Sequence, residues 1–168
     1  MSKMGIKMGI DHPSGTGTTA IVAFKDNMLL DKQEFINKDW KEHSKFIINY
    51  LKNEKPFEEI LSNNNKLKYL IFIENCLYTN ANGSKDRDNL LRLLGSLETQ
   101  GYIATVSPKH TKSVVKNMEN LSKYNDSCLW EFDKDSNLIY QYGKGWKYNN
   151  EKISNHLRNA IIIANYEV

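Results

Sequence analysis

Apolar and polar positions fall in blocks along this chain, and the period within the blocks changes from two to helical and back. Lys7 to Asp11 is a short apolar run that stops at a carboxylate. Small turn residues follow (Ser14, Gly15, Gly17), and a β-branched run then extends from Thr18 to Phe24. This pattern predicts a hairpin with Asp11 at the end of its first strand. Lys25-Asp26-Asn27 reads as a tight turn into a third strand, Met28 to Ile36. The three strands form an antiparallel meander. From about Lys38 to Lys52 the pattern becomes helical, with Trp40, Phe46, Ile47, Tyr50 and Leu51 on one face.

The second half alternates strand and helix. Pro56 is placed to open a short helix through Leu61, ahead of a polar Asn63-Asn64-Asn65 loop. Leu67 to Ile73 runs straight into Glu74, and Tyr69 to Ile73 is continuously apolar without alternation, as expected of a strand buried on both faces. After a polar loop from Thr79 to Gly83, a helix spans about Ser84 to Gln100. Its Leu90, Leu91, Leu94 and Leu97 make a core stripe that could also serve a dimer. Gly101 ends that helix and Tyr102 to Val106 is a fifth strand. Pro108 starts a helix carrying Lys109, Lys112 and Lys116. Asn125 to Asn150 has no clear period and is rich in aromatics (Trp130, Phe132, Tyr140, Tyr142, Trp146, Tyr148), read mainly as core. The last helix is expected over about Glu151 to Asn165. With no repeat or linker, residues 1–168 read as one α/β domain, a mixed sheet flanked by helices.

Composition narrows the picture modestly. The 168 residues are 40% hydrophobic and 26% charged, enough for a substantial core. No apolar stretch approaches the ~20 residues of a membrane span. Met1 to Ile6 lacks the apolar region of a signal peptide. Cys76 and Cys128 follow no metal or redox spacing, so a reduced, cytoplasmic chain is expected. A net charge of +3 permits a nucleic-acid partner without arguing for one.

The candidate chemistry lies in three separated places: Asp11, Glu74, and Ser154-Asn155-His156-Leu157-Arg158-Asn159-Ala160. Two carboxylates at buried strand ends are costly unless paired or bound to a cation. If they converge, they raise each other's pKa or recruit a divalent metal. Oxygen donors suit Mg²⁺ or Mn²⁺ better than zinc. Two such ions ~4 Å apart would activate a water and stabilise the leaving oxygen of a phosphodiester. Taken singly, each residue has a plainer reading. Asp11 could cap an Asx-turn, Glu74 could be solvated, and His156 could be a structural hydrogen-bonder. Asn159 could be a surface amide, and the three lysines a solvated helix face.

Gly-Ile-Asp11, Ile-Phe-Ile-Glu74 and His156-Leu-Arg-Asn-Ala160, in this order and on these elements, resemble the ribonuclease H-like fold. More narrowly they are similar to RuvC-type Holliday-junction resolvases of the phage-encoded branch, and Val106 to Val115 resembles that family's strand-to-helix passage bearing a basic residue. The resemblance covers most of the chain and implies a five-stranded mixed sheet. It implies a metal-dependent endonuclease acting on four-way junctions and other branched DNA as a homodimer, with no membrane role, from a phage or prophage. Asp11, Glu74, His156 and Asn159 would form the catalytic and metal-binding set, with two Mg²⁺ or Mn²⁺ per site. Lys112 would contact the scissile phosphate, and Lys109 and Lys116 would bind DNA. Asn159 stands where the family has a final Asp, and an amide is a neutral, single-oxygen ligand. That departure implies an impaired chain. Because the neighbouring residues keep the pattern, an engineered change is favoured over a natural one. Asn155 falls where some phage members carry a carboxylate. Two other readings fit the same residues: a nuclease-dead protein that binds branched DNA, and a ribonuclease H-like enzyme acting on RNA–DNA hybrids.

Overall fold

In the computed structural model of the chain, residues 6–12, 17–53, 70–74, 91–93, 95–96, 103–130 and 137–166 are described. The first three strands are β1 (Ile6–Asp11), β2 (Gly17–Lys25) and β3 (Met28–Asn37). They pair antiparallel as a meander. Asp26 and Asn27 both have positive φ (53° and 64°), the backbone of a two-residue hairpin turn whose twist matches the strands it joins. Helix α1 (Trp40–Asn53) follows, then β4 (Leu70–Glu74) and β5 (Ile103–Val106). β4 lies parallel to β1, and β5 parallel to β4. The sheet order is β3-β2-β1-β4-β5, the mixed five-stranded sheet expected from sequence.

The two faces of this sheet bury different layers. Ile6, Met8, Ile10, Ile21, Ala23, Ile71 and Ile73 pack on Ile47 and Tyr50 of α1 and on Leu93. Trp40, Phe46 and Leu51 flank that layer, so the predicted apolar face of α1 is the packed one. Among the described residues of the predicted 84–100 helix, Leu93 reaches this core, whereas Leu91 is 47% exposed. Leu90, Leu94 and Leu97 lie outside the described residues, as do the predicted helix at 56–61, Phe132 and Cys76.

The opposite face is covered by α2 (Pro108–Asn125), α3 (Asn155–Ala164) and a second sheet. Ser107 caps α2 by accepting from the Lys109 amide, and Pro108 sits in the first turn, where its missing N–H costs nothing. The stretch from 125 to 150 that lacked a period proves to be three short strands, β6 (Ser127–Leu129), β7 (Leu138–Gln141) and β8 (Gly145–Tyr148). With β9 (Glu151–Lys152) they form an antiparallel sheet in sequence order. Trp130, Trp146 and Tyr148 are buried under it, while Tyr142 stays 58% exposed. The predicted final helix needs correction at its start: Glu151 and Lys152 pair with β8, and the helix begins only at Asn155. Asn149 and Asn150, both at positive φ, make the hairpin turn that holds β9 in the sheet. Ser154 then caps α3 by accepting from the Leu157 amide.

Gly9 explains how closely α3 rides on β1. A Cβ there would run into the Ala160 carbonyl oxygen and Ala164. Any other residue would push the helix off the strand and take His156 and Asn159 with it. Among the described residues, no helix is long and apolar enough to cross a membrane.

Candidate active site

The register of β1 and β4 sets the site. Gly9 lies opposite Phe72 and Ile10 opposite Ile73, so Asp11 and Glu74 come next, side by side at the carboxyl ends of adjacent parallel strands. Ile10 and Ile73 belong to the α1 layer. By strand alternation Asp11 and Glu74 therefore face α3. This is the crevice where open α/β sheets place ligands.

Asp11 is buried and Glu74 half-buried, and the two carboxyl groups are close enough to shift each other's pKa. Burial, then the charge on Asp11, pushes the Glu74 pKa up to about 7. His12 and Lys112 pull it partly back. Asp11 is also raised, chiefly by burial, against the opposing effects of His156, Glu74 and Asn159. Like charges held together out of water disfavour ionisation, which is the direction of both shifts.

Helix α3 closes the site from above. His156 Nδ1 lies 3.1 Å from Asp11 Oδ2, and Asn159 Nδ2 donates to the same oxygen at 3.5 Å. The Asn159 carbonyl oxygen points the other way, accepting from Arg158 Nε at 3.0 Å and Nη2 at 2.8 Å. As held, Asn159 offers the carboxylates a donor, and its oxygen is engaged elsewhere. The structure thus brings together Asp11, Glu74, His156 and Asn159. Lys112 acts on Glu74 from α2. Lys109 and Lys116 are exposed on the same helix, Lys116 beside an open hollow of about 450 Å³ with His110 and Asn117.

Two site residues escaped the sequence reading. The His12 ring donates through Nε2 to the Glu74 carbonyl oxygen, bridging the ends of β1 and β4. Arg158 organises Asn159 and senses the charge of Asp11. Both lie inside the motifs already singled out, His12 next to Asp11 and Arg158 next to Asn159.

The donor set can be tested against a metal. Two converging oxygen donors, both held above their usual pKa chiefly by burial, fit a hard divalent cation between Asp11 and Glu74. Among the described residues, no group of three or more His, Cys, Asp or Glu side chains is spaced to hold a metal ion.

No family model matches the sequence, and no curated protein matches it significantly. Solved structures do. RuvC of Thermus thermophilus in complex with a Holliday junction substrate superposes with a TM-score of 0.53 at 13% identity, covering 96% of this chain and 90% of that one. A second RuvC structure from that organism gives 0.51 at 13% identity, over 95% and 91%. The likeness is one of architecture: this chain has the ribonuclease H-like fold that RuvC shows.

Proposed function

We propose that this chain is an endonuclease of branched DNA, hydrolysing phosphodiester bonds at four-way junctions with a divalent cation, Mg²⁺ or Mn²⁺. The observation that carries the reading is the Asp11–Glu74 carboxyl pair at the strand ends, flanked by Lys112 and His156. The RuvC whose fold matches is bound to a Holliday junction substrate, which supports branched DNA as the substrate class. Asp11 and Glu74 would hold the cation, which lowers the pKa of a bound water and offsets charge building on the phosphate. His156 fixes the orientation of the Asp11 carboxylate. Lys112 favours the ionised form of Glu74 and supplies positive charge toward the scissile phosphate. Lys109 and Lys116 extend that charge along α2 for the DNA backbone. Two nicks at symmetric positions resolve a junction, so the active species is a homodimer.

Position 159 sets the activity level. With Asn there, the site lacks one unit of negative charge and one oxygen ligand. Asn159→Asp is expected to raise Mn²⁺ affinity and junction cleavage on the order of a hundredfold, which is about 2.7 kcal/mol. The assay compares both proteins on a labelled four-way junction and on an RNA–DNA hybrid, with Mg²⁺ and with a chelator. Cleavage of the hybrid in preference to the junction would replace this reading with that of a hybrid nuclease. Junction binding without cleavage by either protein would leave a branch-binding protein.

A further inference from the structure

Arg158 is held more firmly than a surface arginine needs to be. Its Nε and Nη2 converge on the Asn159 carbonyl oxygen, and Nη1 donates to Asn155 Oδ1 at 3.2 Å. Its guanidinium carbon lies 5.0 Å from the centre of the Trp146 ring. Trp146 is itself buried and leans on Tyr140, ring centres 4.8 Å apart. The second sheet therefore serves as a platform, from β7 and β8 through Trp146 to the guanidinium.

None of these contacts neutralises it. Both partner oxygens belong to amides, and among the described residues no carboxylate forms an ion pair with Arg158. Glu119 and Asp11 act on it only through their charge. A half-buried cation with neutral partners has given up hydration without receiving a counter-ion, a cost that an arriving anion removes. The guanidinium also has donors to spare. Of its five N–H groups, three are engaged in the bonds above, leaving one on each terminal nitrogen. A forked pair of donors suits phosphate oxygens.

We propose that Arg158 is a phosphate-binding residue of this site, a preset guanidinium that grips a backbone phosphate of the DNA strand lying against Asp11 and Glu74. This rests on the nuclease reading above for its ligand class. Asn155, Asn159 and Trp146 are positioning residues for it. The arrangement places fixed positive charge beside the carboxylate pair, so that a phosphodiester strand is held before any cation completes the site.

The test measures binding of a fluorescent four-way junction in chelator, where cleavage is absent, across a salt series. Arg158→Gln should weaken binding about tenfold and lower the slope of log affinity against log salt by about one. Arg158→Lys should restore the slope, because it keeps the charge, but recover little of the cleavage in Mg²⁺, because it loses the fork. A junction carrying a single neutral methylphosphonate, scanned along the strand, should show one position that weakens the parent protein and leaves Arg158→Gln unchanged. Circular dichroism melts establish that each variant is folded. If Arg158→Gln destroys the fold, the methylphosphonate scan with Arg158→Lys carries the test, the sensitive position being blunted. A folded Arg158→Gln protein with parental affinity and slope overturns the proposal and leaves the nuclease reading standing. Arg158-dependent binding combined with no cleavage by Asn159→Asp supports the phosphate site and removes the nuclease. No DNA binding by the parent at any salt overturns both.

Discussion

His43 and Asp11 are both buried polar side chains beside the same sheet, one on each face, and they are treated oppositely. On the α1 face, His43 donates through Nε2 to the Asn37 carbonyl and accepts at Nδ1 from the Thr19 hydroxyl, each at 2.8 Å. Every polar atom of that ring is satisfied by a neutral partner. On the α3 face, Asp11 is set against a second carboxyl, and both are held above their ordinary pKa. The first arrangement is what a core does with a polar group it must bury. The second is one a core avoids, and it suits the cation proposed for this site. The contrast separates structural from functional burial on a single sheet.

The comparison breaks most readily at its two ends. Asp11→Asn should cut junction cleavage about a thousandfold, the scale of losing a principal source of transition-state stabilisation. Its melting temperature should rise, since the like-charge pair is gone. His43→Ala should do the reverse: destabilisation of about 2–3 kcal/mol from the stranded Thr19 hydroxyl and Asn37 carbonyl, with cleavage per folded molecule kept. Loss of stability in Asp11→Asn, or loss of turnover in folded His43→Ala, would erase the distinction.

Lys112→Ala probes a smaller effect. Cleavage should fall about tenfold while junction affinity barely changes, since one phosphate contact among several carries little of it. The pH–rate profile should also move to higher pH, because Lys112 holds the Glu74 pKa down. Lost binding with unaltered turnover would assign this lysine to the DNA surface alone.

The smallest effect is in stability against pH. Glu74 goes from 4.5 unfolded to about 7 folded, so between those values the folded chain holds a proton that the unfolded chain has released. The stability this group contributes is complete below pH 4.5 and is lost as pH rises through 7. In chelator, the melting temperature should fall by a few degrees between about pH 5 and pH 8. Glu74→Gln should flatten that fall, and Mg²⁺ should oppose it. Identical profiles for parent and variant would mean that Glu74 titrates normally.

The main sheet was readable because its first three strands are six to ten residues long and two of its strands end on informative residues. The β1 run stops at Asp11, the β4 run stops at Glu74, and Asp26-Asn27 marks the hairpin between β2 and β3. These signals pointed to Asp11, Glu74, His156 and Asn159, which the structure places together from three elements. The second sheet escaped because its strands have only two to four residues, too short for a period to emerge. Its turn signals were present, in Gly143, Gly145 and Asn149-Asn150. The role of Arg158 depends on Trp146, which reaches it through that sheet, so nothing local in the α3 sequence announces it.

The bond between His156 and Asp11 spans 145 residues of sequence. Loop closure over such a distance is among the costliest contacts the chain makes, and it falls to the helix synthesised last among the described elements. A nascent chain with all five strands of the main sheet in place still lacks the lid that orients Asp11. The Asp11 carboxylate therefore gains its His156 and Asn159 partners only when α3 settles onto Gly9.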